Sequence, residues 1–199
     1  MKFFSFALTF VVLFFLTYLF LGMVDVLPEP RGGQSDPVAE VPAEIPQDTH
    51  ELPVRVVAQD IGLNSEVLNP QSLDIDVLNA AVDKAAMRWP TSGLLGADGT
   101  VALFGHSSHL PIVHNQAFKI FNGIEKLKAG QTISVYSATT EYRYKVVGVR
   151  FAKAAENTLE DRVDLPSNGK FLALITCDNF GAKSDRWVVT ADFAGAYAI

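Results

Sequence analysis

Thiols are scarce in this sequence: Cys177 is the one cysteine in 199 residues. A single cysteine closes no internal disulfide, so the redox character of the compartment is not written in cysteine pairing. Basic charge is short as well. Sixteen Lys and Arg stand against 22 Asp and Glu, for a net charge of −6. Nucleic acid asks for a clustered basic face, and that footprint is missing. Metal-ligand spacing is missing too: the four histidines, His50, His106, His109 and His114, form no H-E-x-x-H arrangement. There is no internal repeat. Only one apolar run is long enough to span a bilayer, so no C-terminal anchor is expected.

That run is "FFSFALTFVVLFFLTYLFLGMV", Phe3 to Val24, and it carries no charge. At about 1.5 Å rise per residue it covers a hydrocarbon core of roughly 30 Å. Lys2 precedes it, and Asp25 and Glu29 follow ahead of Arg31. This weak charge bias favours a cytoplasmic N-terminus with the remainder outside. A cleaved signal peptide would have a shorter apolar core and a small-x-small site, which "LGMVDVLPEP" does not offer. Residues 1–24 are therefore expected to be an uncleaved transmembrane anchor in the cell membrane. Residues 25–52 read as a stalk. Pro28, Pro30, Pro37, Pro42 and Pro46 fall in it, and acidic residues outnumber basic ones. Such a segment buries too little surface to offset its ordering entropy. Proline and like charge keep it extended.

From Pro53 the composition changes, and residues 53–199 read as one domain. "PVRVVAQDIG" and "SEVLN" look like short strands divided by a turn. "LDIDVLNAAVDKAAM" is compatible with a short helix. "GTVALFGH" is a glycine-bounded apolar run, the mark of a buried strand. In "NQAFKIFNGIEKLKAGQ", Phe118, Phe121, Ile124 and Leu127 recur at helical spacing, and Gly130 suits a helix stop. "TISVYS" and "TEYRYKVVGVRF" predict a hairpin, since Tyr142, Tyr144 and Val146 alternate with Arg143, Lys145 and Val147. Residues 152–170 form a long polar connection. "KFLALITC" is apolar on both faces, as a central strand is, and "RWVVTADF" is its partner. Many strands with few helices predict a mainly β domain, a barrel or a sandwich with small helices attached.

One constellation carries chemistry. A thiolate nucleophile needs a nearby base and a donor for the developing oxyanion. Cys177 ends an apolar strand. His106 stands in "LFGHSSH", after a glycine that lets the backbone turn sharply. Arg186 opens the strand after the cysteine, and its five donors suit a substrate carbonyl or an oxyanion. Each residue also has an ordinary reading. A lone cysteine is usually inert core, a loop histidine is usually surface, and an arginine at a strand start is usually solvated. Sequence shows no spatial adjacency, so residues alone leave both readings open.

The motifs go further. "LFGHSS", "FKIFNGIEKLKAGQTISVY", "YRYKVV" and "ALITCDNFGAKSDRWVV" follow one another in the order found in sortases, the cysteine transpeptidases of bacterial cell surfaces. Over most of residues 53–193 the chain resembles that family. The specific part is Thr176-Cys177 with Arg186 nine positions on and a Gly-His well upstream. The resemblance implies a closed eight-stranded β-barrel with short helices and no cofactor. It implies that Cys177 attacks the threonine carbonyl of a Leu-Pro-x-Thr-Gly-like sorting signal. His106 would protonate the leaving amine and then serve the incoming one as base. Arg186 would hold the substrate and stabilise the oxyanion. The implied partners are surface proteins with a C-terminal sorting signal and an amine acceptor, such as a cell-wall precursor or a pilin lysine.

Gln131 stands where relatives commonly have aspartate, and Ser107 where many have arginine or asparagine, so the subclass stays open. An L,D-transpeptidase would show Ser-x-Gly-Cys-x-Arg, which "LITCDNFGAKSDR" lacks. Another extracytoplasmic thiol hydrolase, or a non-catalytic interaction module on the same fold, is the alternative. Some relatives bind calcium through acidic loops. Glu156, Glu160, Asp161 and Asp164 form no calcium-loop pattern, and a solvated loop is expected there. His109 and His114 are expected as exposed loop residues. "LPSNG", Leu165 to Gly169, reads as a turn before a strand rather than a sorting signal.

Overall fold

The computed structural model describes residues 11, 13–16, 50–108, 110, 112–152, 165–177 and 185–199. The chain divides into two compact units, Met1–Glu40 and Val41–Ile199. In the first, residues 11 and 13–16 are helical and exposed. Among the described residues no helix is long and apolar enough to cross a membrane. The rest of the expected span, and the stalk as far as residue 49, lie outside them.

The second unit is a closed eight-stranded barrel. Its strands are β1 (Arg55–Ala58), β2 (Leu63–Leu68), β3 (Ala86–Arg88), β4 (Gly99–His106), β5 (Thr132–Tyr136), β6 (Thr140–Ala152), β7 (Lys170–Cys177) and β8 (Arg186–Ala198). Around the barrel they run β1-β2-β3-β4-β7-β8-β6-β5, and β5 pairs back onto β1. Two contacts are parallel, β2 with β3 and β4 with β7. The expected mainly β barrel with short helices is what forms. The hairpin of β5 and β6 pairs in register from Thr132↔Lys145 to Tyr136↔Glu141.

Alternation explains the core. Val101 and Leu103 on β4, Leu172 and Leu174 on β7, and Val189 and Ala191 on β8 share one buried cluster with Tyr142 and Tyr144. Burial pushes the Tyr144 phenol well above its ordinary value. The intervening residues, Ala102 and Phe104, Ala173 and Ile175, and Val188, face a second cluster. That outer face is covered by the helix α1 (Ile75–Val82), which buries Leu78 and Val82 against it. The two side chains are four apart, one above the other on a single helix face. Burying each contributes about 1.5–3 kcal/mol. Eight residues make a helix too short to persist alone. The Asp74 carboxylate starts it, accepting from the backbone N–H groups of Asp76 at 2.9 Å and Val77 at 3.3 Å.

One expected element does not form. The segment with Phe118, Phe121, Ile124 and Leu127 is two short 3₁₀ turns, Gln116–Lys119 and Ile124–Lys126, not one helix. Gly123, at φ 90°, is left-handed and breaks the run. The Phe121 N–H donates across to the His106 carbonyl at 2.9 Å instead of up a helix. The apolar residues are still core: Phe121, Ile124 and Leu127 are buried.

The entry into the barrel is pinned at Glu51. Its backbone bridges Leu95 in both directions, at 3.0 and 2.9 Å. Its carboxylate accepts from the hydroxyls of Thr139 at 3.1 Å and Tyr142 at 3.3 Å. Burial alone would raise this carboxyl, but hydrogen bonds from Ser137, Thr139, Thr140 and Tyr142 together hold it below its ordinary 4.5. A lowered folded-state pKa contributes stability that is present above the unfolded value and lost as pH falls through the folded one. Glu51→Gln should therefore melt a few degrees below the parent near neutrality. The gap should close in acid, below pH 4.5. Thermal melts across pH check this; a gap that persists at the lowest pH would assign the loss to shape instead of charge.

Candidate active site

Three adjacent strands bring the three singled-out residues to one end of the barrel. β4 and β7 run parallel, and their last paired positions are His106 and Cys177. β7 and β8 run antiparallel, paired as far as Ile175↔Val188. Beyond that pair the two strands run on to Cys177, the last residue of β7, and Arg186, the first of β8. Arg186 is also the register partner of Ala152 on β6. Strand ends 71 residues apart in sequence are thus neighbours in space.

His106 is 3% exposed. Its Nε2 lies 2.9 Å from Oδ1 of Asp83. The Phe118 ring meets the imidazole edge-on, with centroids 4.9 Å apart. The expected sharp turn at Gly105 is not there. Gly105 lies within β4 and is not among the glycines with positive φ. Space is what excludes a side chain: a Cβ at this position would come within 2.7 Å of the Phe121 ring. Gly105 lets Phe121 cross β4 beside His106.

Arg186 is 2% exposed, unlike the solvated arginine common at a strand start. Its Nη1 donates to the Thr176 carbonyl at 3.1 Å. Its Nε and Nη2 are buried and meet no acceptor among the described residues. Leaving donors of a buried cation unpaired is costly, so this guanidinium has capacity for an incoming oxygen. Thr176, beside the cysteine, supports the arrangement from the other side: its Oγ1 accepts from the Trp187 N–H at 2.8 Å. This stitches β7 to β8 beyond the last ladder pair.

A model of the sortase domain matches residues 56–194. The chain belongs to the sortase family. Sortase A of Bacillus anthracis is 31% identical over 133 residues, which is 64% of this chain and 57% of that protein. The chain thus matches a little over half the length of that relative. Among solved structures, sortase A of Listeria monocytogenes superposes with a TM-score of 0.54 at 18% identity, over 76% of this chain and 92% of that one. Sortase E of Streptomyces avermitilis gives 0.54 at 22%, over 75% and 93%. At these identities the structures speak for the fold.

Two residues that contact His106 in this sortase, Asp83 and Phe118, are not singled out for the site by the sequence. Phe118 carried a signal, but as one of four core positions. Asp83 carried none: it is one of several acids around a short helix, and only the fold brings it to His106. The remaining candidates separate. His50 and His114 are exposed. His109 and the acids Glu156, Glu160, Asp161 and Asp164 lie outside the described residues. Leu165 to Gly169 forms the approach to β7, and the Gly169 carbonyl accepts from the Gly99 N–H at 2.7 Å.

A polar cavity of about 760 Å³ opens elsewhere, lined by residues of β1, β5, β6 and β8. Its cations are engaged locally. Arg143 pairs with Glu141 at 2.7 Å, and Lys145 donates to Thr132 at 2.7 Å. Neither His106 nor Arg186 lines it.

Proposed function

We propose that this sortase is a cysteine transpeptidase that joins surface proteins to an amine. The Cys177 thiolate attacks the threonine carbonyl of a Leu-Pro-x-Thr-Gly-like sorting signal, and the carbonyl oxygen becomes an oxyanion. Arg186 donates to that oxygen. The intermediate collapses, the C–N bond to glycine breaks, and His106 gives the leaving amine its proton. A thioester on Cys177 remains. An incoming amine attacks it and loses a proton to His106, and the thiolate leaves. Atoms and charge balance without a cofactor.

The observation that carries this reading is the Arg186 guanidinium, buried at the strand ends that also hold His106 and Cys177, with Nε and Nη2 meeting no acceptor among the described residues. A structural arginine is expected to satisfy its own donors. The substrates are proteins with a C-terminal sorting signal. The acceptor is an amine of a cell-wall precursor or a pilin lysine. In the same proposal residues 1–24 anchor the chain in the cell membrane, with the N-terminus cytoplasmic and the catalytic domain outside.

Amine trapping tests it. The full-length chain is incubated with a Leu-Pro-x-Thr-Gly peptide panel, with and without triglycine, and products are read by mass spectrometry. The expected result is cleavage before glycine, an acyl-enzyme mass on the chain, and diversion of product from acid to amide as triglycine rises. A product ratio indifferent to triglycine would favour a thiol hydrolase. No acyl-enzyme with any peptide would favour a non-catalytic module.

A further inference from the structure

We infer that Asp83 is a positioning residue that holds His106 with its ring proton on Nε2, and so makes Nδ1 the nitrogen that exchanges protons. The inference rests on the reading of His106 as the acid–base group and sharpens it to an atom.

Hydrogen-bond chemistry supplies the first step. An ionised carboxylate only accepts. At 2.9 Å from Asp83 Oδ1, the His106 Nε2 must then be the donor. The other tautomer would set a nitrogen lone pair against a carboxylate oxygen, acceptor against acceptor. With Nε2 committed, the neutral ring has its basic lone pair on Nδ1. In the imidazolium, the proton that leaves is the one on Nδ1, because losing the other would break the bond to Asp83. One carboxylate thereby decides which edge of the ring does the chemistry.

The carboxylate is itself held. Asp83 caps the C-terminus of α1, and its N–H is bonded to the carbonyls of Asn79 and Ala81. Its carbonyl accepts from Asn115 Nδ2 at 2.6 Å. Asn115 also turns its Oδ1 to the Ala117 N–H at 3.0 Å, capping the 3₁₀ turn that carries Phe118. One asparagine therefore ties the backbone of Asp83 to the turn that carries Phe118, and both residues meet the imidazole. The C-terminal end of α1 adds partial negative charge on the same side. A purely structural role explains less. α1 is already anchored by Leu78 and Val82, which are 1% and 0% exposed. The Asp83 side chain is 46% exposed, and an ion pair of that exposure contributes little to stability.

The test uses the full-length chain labelled with ¹⁵N-histidine, with His106 assigned from the signal lost in His106→Asn. The expected parent spectrum, once the ring is neutral, is the Nε2–H form. Asp83→Ala should move His106 to a mixture of tautomers. It should lower kcat for amide formation about ten- to hundredfold, with KM changed by less than about twofold. Asp83→Asn, whose Oδ1 still accepts, should keep the tautomer and most of the turnover. An Nε2–H signal unchanged in Asp83→Ala, or an Nδ1–H signal in the parent, overturns the inference. If the parent turns over no peptide while its tautomer still responds to Asp83→Ala, the positioning holds and the transpeptidase reading falls.

Discussion

Replacing Cys177 by alanine is expected to abolish turnover of a sorting-signal peptide. The drop should be about 10⁴-fold or more, to the level that binding and oxyanion stabilisation alone supply. The reason is the absence of a substitute. No other cysteine exists in the chain. The nearest hydroxyl along the ladder, Thr176, has its oxygen committed to the Trp187 N–H. Transfer to an amine needs a covalent intermediate that outlives departure of the first product, and without the thiol there is none. The acyl-enzyme mass seen with the parent should vanish, and the melting curve of the variant separates loss of chemistry from loss of fold. An alanine variant that cleaves peptide as fast as the parent would remove Cys177 from the mechanism, and with it the transpeptidase.

The second large effect concerns Arg186, where activity and stability should part company. Arg186→Met removes a donor aimed at developing charge, and kcat should fall about 10²–10³-fold. The same change removes a buried cation whose Nε and Nη2 meet no acceptor among the described residues. Replacing a poorly compensated buried charge with an apolar side chain of similar length is often neutral or stabilising. The variant should therefore melt no lower than the parent. Arg186→Lys should not rescue kcat. A single ammonium cannot keep the Thr176 carbonyl and present two further donors in a planar fork. Kinetics and thermal melts on the two variants decide. If Arg186→Met loses stability and activity in step, Arg186 is a strut between β7 and β8.

Much of this was legible in the residues. Runs such as "GTVALFGH" and "KFLALITC" are apolar on both faces because one face lines the barrel and α1 covers the other. The alternation of Tyr142, Tyr144 and Val146 held until the bulge between Val146 and Gly148. β3 was not legible: three residues are too few to show a period, and parallel pairing with β2 is what makes them a strand. The helix expected at Phe118 failed because core spacing is shared by helices and by successive turns folded onto the same core. The expectation of a turn at Gly105 fails because glycine in sequence does not distinguish backbone freedom from the need for space. Asp83 was invisible for the most general reason, that its meaning lies in a partner on another element.

The parallel pairing of β4 with β7 has a kinetic consequence. Residues 106 and 177 meet only after a loop of 71 residues has closed, and β5 and β6 lie within that loop. Local hairpins are quick, whereas parallel, non-local pairing is slow, because its entropy is lost before its contacts are gained. The juxtaposition of His106 and Cys177 is thus expected late in folding, after the strands between them have formed. Recovery of activity after dilution from denaturant reports closure of the whole barrel, not the appearance of secondary structure.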